Sequence, residues 1–305
     1  MQNWTVSDIP AQTGRFALVT GANSGLGYET SRALAAKGAC VILACRDLAK
    51  GEQACRQILA ESPDAEIHPM QLDLASLGSV RHFAEAFHKR FDRLDLLINN
   101  GGVMAVPRPE TEDGFEMQIG VNHLGHFALT GLLLDRITGT PKSRVVTVTS
   151  FGAYFGWMNF EDLHGVRSYM RYLAYDQSKL ANVLFACELG RRLDASGADT
   201  LSLSVNPGLA ETNLQRTTIR SSGSAVERMI YPPLLNLFSH TPADASLVQL
   251  YAAVAPSVKQ GGIAGPRFFV RGSPLMVRLP FQARNAEASR RLWEASEQQT
   301  GVHYL

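Results

Sequence analysis

At 305 residues, with 45 % apolar and 19 % charged side chains, the chain has the composition of a globular protein large enough to bury a sizeable core. A formal net charge of +1 gives no electrostatic reason to expect a nucleic-acid or strongly acidic partner. There is no apolar run long enough for a transmembrane helix, and the opening MQNWTVSDIPAQTGR lacks the basic and apolar regions of a secretory signal. Cys40, Cys45, Cys55 and Cys187 form no CxxC pair, and such scattered thiols fit a reduced, cytoplasmic setting better than a disulfide framework or a zinc site.

Short β-branched runs alternate with longer helical stretches. RFALVT (15–20), CVILAC (40–45), LDLLIN (94–99), SRVVTVTS (143–150) and TLSLSV (200–205) read as buried parallel strands. Helical patterns fill 25–37, 47–61, 76–91, 115–136 and 175–193. This alternation predicts βαβ units in a doubly wound parallel sheet, an α/β fold of Rossmann type forming a single domain over 1–305. Segment 209–240 is rich in Ser and Thr, then apolar, and reads either as a lid over a substrate pocket or as a surface excursion. The tail NAEASRRLWEASEQQTGVHYL reads as an amphipathic closing helix within a C-terminal extension over 271–305.

The first predicted strand runs directly into TGANSGLGYET. Glycines at a strand–helix turn let backbone N–H groups approach a pyrophosphate, and the helix N-terminus favours its charge. Here they stand at Gly21, Gly25 and Gly27, spaced G-x-x-x-G-x-G. At the end of the second strand, ACRD places Cys45 where an acid that binds the NAD ribose would sit, followed by Arg46. A guanidinium pairs well with a 2′-phosphate, which favours NADP(H). Two other readings stand beside it. Arg46 faces solvent with Asp47 merely capping the next helix, or Asp47 contacts the ribose and favours NAD.

YLAYDQSKLANVLF (172–185) poses a sharper question, because its Tyr172 and Tyr175 crowd together with Tyr169 just before it. Side chains four apart share a helix face, and only Tyr175 has a cation there, Lys179. A phenol of pKa about 10 is a poor base at neutral pH, and lowering it by about three units takes about 4 kcal/mol. One positive charge about 4 Å away at an effective dielectric of about 20 supplies roughly that amount. Ser150 ends the strand SRVVTVTS at the carboxyl edge of the predicted sheet, where a hydroxyl can orient a carbonyl or simply cap a turn.

Together, TGANSGLG (20–27), LDLAS (72–76), NNGG (99–102), VNHLGHF (121–127), VTVTS (146–150), YDQSK (175–179) and NPGLAET (206–212) resemble the short-chain dehydrogenase/reductase superfamily over residues 14–270. ACRD, VNHLGHF and LAYDQSKLANVLF are similar to its retinol-dehydrogenase-like branch, which includes WW-domain oxidoreductases and is related to light-dependent protochlorophyllide reductase. The 25 residues from Ser150 to Tyr175 (175 − 150) also resemble that branch.

The resemblance implies roles position by position. Tyr175 would be the acid/base, Lys179 would bind the nicotinamide ribose and lower the tyrosine's pKa, Ser150 would hold the reacting oxygen, and Asn122 would position a water in the proton relay. Gly21, Asn23, Ser24, Gly25, Leu26 and Gly27 would cradle the pyrophosphate. Asp73 and Leu74 would sit beside the adenine, Asn100 and Gly101 would line the ribose, and Pro207, Gly208 and Thr212 would lie along the nicotinamide and phosphates. His123 and His126 are three apart on a helix, but with no further ligand cluster nearby they read as packing and not as a metal site.

The leading expectation is an NADP(H)-dependent reductase or dehydrogenase acting on a bulky apolar carbonyl or alcohol. Ile230, Tyr231, Leu234, Leu235 and Phe238 of the lid suggest the apolar substrate. The alternatives are a protochlorophyllide-type C=C reductase and a non-catalytic dinucleotide sensor on the same fold. The resemblance implies a homodimer or homotetramer built through helices near 115–136 and 175–193, whereas a C-terminal tail covering that surface would leave a monomer.

Overall fold

The structure, a computed structural model, describes residues 3–209 and 241–305. The predicted lid beyond residue 209, with Thr212, Ile230, Tyr231, Leu234, Leu235 and Phe238, lies outside the described residues. Among those described, eight strands form one sheet in the order β3-β2-β1-β4-β5-β6-β7-β8. They are β1 (Phe16–Thr20), β2 (Cys40–Cys45), β3 (Ile67–Gln71), β4 (Leu96–Asn99), β5 (Ser143–Val148), β6 (Thr200–Val205), β7 (Ile263–Pro266) and β8 (Pro274–Val277). Neighbours pair in parallel except β8, which returns antiparallel along β7. The order reverses between β1 and β4, and open α/β sheets bind ligands outside the carboxyl ends of their strands at such a switch point.

The strands read as continuous apolar runs because both faces of the sheet are covered. Ala17, Val19, Val41 and Leu43 face one core with Leu34 of α1 (Gly25–Ala36), Ile58 of α2 (Leu48–Glu61) and the apolar side of a later helix, Pro242–Val254. The alternate residues Leu18, Ile42 and Ala44 face a second core with Val80, Phe83 and Phe87 of α3 (Leu77–His88). A period of two along each strand thus divides its side chains between two helical layers.

The predicted helix over 115–136 is interrupted. A short turn (Met117–Ile119) passes into a π-helical segment, Gly120–Leu124, before α4 (Gly125–Leu132). Helix α5 (Arg171–Ser196) begins four residues earlier than predicted and ends at Gly197 in the left-handed region (φ +73°), which glycine adopts without penalty. It is buried on nearly every side between β6 and the C-terminal helix α7 (Ala286–Thr300), with α6 the helix Pro242–Val254 on the other layer.

The closing helix is amphipathic as predicted. Trp293 of α7, 1 % exposed, stacks on Phe185 with ring centroids 6.0 Å apart and meets Phe127 edge-on at 5.0 Å. Truncating a buried aromatic of this kind costs about 3–5 kcal/mol. The tail therefore covers faces of α4 and α5 that the resemblance would assign to a subunit interface. No helix among the described residues is long and apolar enough to cross a membrane.

Candidate active site

β1 ends at Thr20, and the chain turns through Gly21 (φ +63°) and Gly25 (φ +58°) into α1. A Cβ on Gly27 would stand 2.6 Å from both the Asn100 amide nitrogen and the Gly21 carbonyl oxygen, so only glycine fits. The N-cap Ser24 makes no side-chain cap bond, which leaves first-turn N–H groups available to an anion. The loop thus has the backbone approach and the helix end that a dinucleotide pyrophosphate needs, and the cofactor implied by the sequence fits it.

Thr20 clasps this loop to the next one. Its hydroxyl oxygen accepts the N–H groups of Asn100 (2.9 Å) and Gly101 (2.8 Å) and lies 2.8 Å from His126 Nε2. His126 Nδ1 is 3.0 Å from the Asn122 carbonyl and must donate to it. Nε2 is then the acceptor of the Thr20 proton, and the ring is neutral. Burial agrees, holding His126 down to about 4. The Asn100 amide donates to the Thr20 carbonyl at 2.8 Å and its oxygen accepts from Gln249 at 2.9 Å. Thr20, His126 and Gln249 were not legible as site residues. For His126 the available signal was its position four residues after Asn122.

Leu74 leans on Gly101 so closely that a Cβ there would be 2.8 Å from its methyl group, which places Asp73 and Leu74 beside Asn100 and Gly101. Asp73 is locked by two bonds, accepting from the Ala75 N–H at 2.9 Å and donating its own N–H to Ser79 at 3.0 Å. At the tip of β2, Cys45 is buried and its thiol donates to the Asp47 carbonyl at 3.2 Å. Asp47 caps α2 by accepting from the Lys50 N–H at 3.2 Å and pairs with the Lys50 ammonium at 3.0 Å. Lys50 holds its carboxyl below the usual carboxylate range. Arg46 is exposed, with no ion pair among the described residues.

Beyond β5, Ser150 caps a 3₁₀ turn (Phe151–Tyr154), its oxygen accepting the Gly152 N–H at 3.1 Å. The Ser150 hydroxyl lies beside the Tyr175 phenol and favours its ionised form. Lys179 is buried one turn along α5, its ammonium 5.7 Å from the Tyr175 ring centre and 3.4 Å from the Val148 carbonyl. Asn122 sits in the π-helical segment, a distortion frequent at functional sites. Its amide donates to the Val103 carbonyl (3.0 Å) and to Ser178 (2.8 Å), and its oxygen accepts the Val103 N–H (2.8 Å). Its side chain is thus fully engaged within the protein. Its backbone carbonyl accepts from the His126 ring.

The electrostatics depart from the simple expectation. Burial pushes Tyr175 up to about 12, with the charge on Asp176 adding to the rise and the neighbouring Ser150 hydroxyl opposing it. Burial also pulls Lys179 down to about 8. Desolvation thus acts on both partners, disfavouring the phenolate and the ammonium alike.

The three crowded tyrosines separate cleanly. Tyr169 precedes α5, and its hydroxyl donates to Glu116 at 2.9 Å and accepts from Gln118 at 2.9 Å. Tyr172 lies under the Arg171 guanidinium, 4.9 Å from its ring centre. Only Tyr175 meets Ser150. Gly208 (φ +78°) packs against the Val270 carbonyl on the turn from β7 to β8, with Pro207 beside it. His123 bonds Ser296 at 2.7 Å while His126 turns to Thr20, so the two imidazoles are held by different partners.

Known proteins agree with this arrangement. The short chain dehydrogenase family model matches residues 15–222. Mouse retinol dehydrogenase 11 is 42 % identical over 283 residues, covering 93 % of this chain and 85 % of the mouse protein. Human retinol dehydrogenase 13 is 42 % identical over 291 residues, 95 % of this chain and 85 % of the human one. Mouse polyprenol dehydrogenase is 41 % identical over 301 residues, covering 96 % and 86 %. Among solved structures, an uncharacterized protein from Mycobacterium Paratuberculosis superposes with a TM-score of 0.83 at 41 % identity, covering 100 % of both chains. A parallel Rossmann-type sheet, a glycine loop at its switch point, a serine–tyrosine–lysine cluster at its carboxyl edge and these relatives lead to one assignment: the chain belongs to the short-chain dehydrogenase/reductase superfamily, in its retinol-dehydrogenase-like branch.

Proposed function

We propose that the protein is an NADP(H)-dependent oxidoreductase that interconverts a bulky apolar carbonyl compound and its alcohol, with Tyr175 exchanging the proton. The observation that carries this reading is the approach of the Ser150 hydroxyl to the Tyr175 phenol at the carboxyl edge of the sheet, with Lys179 one helical turn away. The bound dinucleotide would supply or accept the hydride at the substrate carbon. In reduction, Ser150 and Tyr175 hold the carbonyl oxygen, and the phenol delivers its proton as the oxygen gains negative charge. A phenol held up at about 12 is fully protonated at neutral pH, which suits it as the acid of the reducing direction.

Support for NADP(H) comes from the tip of β2. Asp47 is committed to capping α2 and to Lys50, which disfavours the ribose-binding reading. Arg46 is exposed beside it and offers a guanidinium to a 2′-phosphate. Gly21 to Gly27 would bind the pyrophosphate, Asp73 and Leu74 the adenine, and Asn100, Gly101, Lys179, Pro207, Gly208 and Thr212 the remainder of the cofactor. Mouse polyprenol dehydrogenase and the retinol dehydrogenases bear the names of enzymes for long apolar alcohols, and similarity to them favours a substrate of that character.

The described side of the site is apolar too. Phe151, adjoining Ser150, packs edge-on with Phe155 at 5.1 Å and Phe269 at 6.3 Å, and Phe155 is 67 % exposed. Such a collar suits a ligand that leaves water readily.

The test follows NADPH oxidation against aromatic, terpenoid and steroidal aldehydes and ketones, with NADH and the Tyr175→Phe variant in parallel. Turnover that prefers NADPH and is lost in the variant is the expected result. Wild-type turnover retained by Tyr175→Phe would remove Tyr175 from the chemistry, and tight dinucleotide binding without turnover would favour the sensor.

A further inference from the structure

A second cluster of reactive side chains lies at the opposite end of the sheet. β2 and β3 run in parallel with Val41 opposite Ile67 and Ile42 opposite His68. This register puts Cys40, at the start of β2, level with Glu66, just before β3. Because side chains alternate along a strand, Cys40, Glu66 and His68 project from the same face. His68 Nε2 is 3.3 Å from Glu66 Oε1. The Cys40 thiol feels the Glu66 carboxylate beside it, and the candidate ligand atoms of all three residues lie within 4.8 Å of one another. Cys40 is 4 % exposed, whereas His68 and Glu66 open towards solvent with side chains 32 % and 63 % exposed.

We propose that Cys40, Glu66 and His68 form a binding site for a zinc-class divalent ion that ties the edge strand β3 to β2. The donor set is one sulfur, one imidazole nitrogen and one carboxylate oxygen, which selects a borderline ion over the hard calcium and magnesium. Two ligands each about 2.0 Å from a tetrahedral ion stand about 3.3 Å apart, and His68 and Glu66 already hold that spacing. Rotation of the exposed Glu66 side chain closes the site on the buried thiol, and the fourth position faces water. A divalent ion, one thiolate, one carboxylate and one neutral imidazole sum to zero charge. The thiol proton passes to solvent as the metal–sulfur bond forms. Arg90 opposes the ion from the end of α3, but its guanidinium is drawn over Phe91, 5.2 Å from that ring centre, and Phe91 in turn packs against His68 at 5.7 Å.

The position supplies a role. Among the described residues β3 pairs on one side only and is the least buried of the parallel strands, with Pro69 in its middle. Edge strands are where a sheet frays, and proline is tolerated there because no ladder bond is lost on the open side. β3 leads directly into Leu72 and Asp73, so a clamp at its start would hold the approach to the adenine side of the candidate site. The clamp lies at the amino ends of the strands and takes no part in the hydride chemistry. The spacing of the cysteines along the chain predicted no zinc site. The ligands come from two strands that only the sheet brings together.

The test uses the full-length protein stripped of metal with a chelator. Cobalt(II) titration should produce a near-ultraviolet thiolate-to-metal absorption band that one equivalent of zinc(II) abolishes, and saturating zinc should raise the melting temperature by about 4 °C. Cys40→Ser should lose the band. His68→Ala and Glu66→Gln, at more exposed positions, should each weaken zinc binding about tenfold or more while melting like the metal-free wild type. A band that survives in Cys40→Ser, an unchanged zinc affinity in both other variants, or a wild type with no band would overturn the site.

Discussion

The cofactor side and the substrate side of the molecule are built differently. Around the glycine loop the backbone is packed so tightly that added methyl groups on Gly21, Gly27 and Gly101 would meet atoms within 2.8 Å, and every side-chain polar group of Thr20, Asn100 and His126 is engaged. Around Ser150 the side chains are large, aromatic and open to solvent, with Phe155 67 % and Phe269 52 % exposed. One region is shaped for a rigid, charged ligand whose outline is always the same. The other offers adaptable apolar area, so reaction class and substrate identity are encoded with very different sharpness.

That contrast can be broken at graded cost. Tyr175→Phe should act on chemistry alone, lowering turnover about 10³-fold while leaving the dinucleotide dissociation constant within about twofold. Equal losses in turnover and binding would mean that the tyrosine organises the pocket and does not move the proton. Gly27→Ala should act on the tight side alone. The new methyl would press on the Gly21 carbonyl, a backbone atom that cannot move aside cheaply, and overpacking of this sort costs about 1–3 kcal/mol. Dinucleotide affinity measured by fluorescence titration should fall about 10- to 100-fold for NADPH and NADH alike. An unaltered affinity would show that the loop does not receive the pyrophosphate.

A narrower probe is Arg46→Ala. Loss of a charge-assisted pair with a 2′-phosphate is worth about 1.5–3 kcal/mol, so the KM for NADPH should rise about 10-fold or more while that for NADH stays level. Parallel changes for both cofactors would return Arg46 to solvent and reopen the ribose reading of Asp47.

Much of the tight region was legible in the sequence because its constraints are local. Gly21, Gly25 and Gly27 follow a buried strand directly, and Tyr175 and Lys179 share a helix face that the structure preserves. β3 was missed because IHPMQ carries a proline and a histidine and lacks an apolar alternation, as an edge strand can. β7 and β8 were missed because four-residue runs such as IAGP give periodicity nothing to count. The break in 115–136 is invisible to pattern because the residues stay buried throughout the π-helical turn that displaces Asn122. The reading of Tyr175 from its spacing to Lys179 underestimated desolvation, which depends on the three-dimensional packing around both side chains.

The mildest test concerns Asp176, which lies next to Tyr175 in sequence and against Gly152 in space. Burial lifts its carboxyl from an ordinary 3.8 to about 6. The folded protein therefore holds this proton to higher pH than the unfolded chain, so the ionised carboxylate weakens the fold as pH rises through that interval. Asp176→Asn should stabilise the protein at pH 7 by about 1 kcal/mol, less than the full shift implies because solvent screens a partly exposed group. The gain should shrink on acidification and vanish below about pH 4, where the carboxyl is protonated in both states. The Asp176 charge also raises Tyr175, so the variant should move the alkaline limb of alcohol oxidation to lower pH. A stability gain that persists undiminished in acid would place the effect in packing against Gly152, and an unmoved alkaline limb would mean that the phenol does not sense this charge.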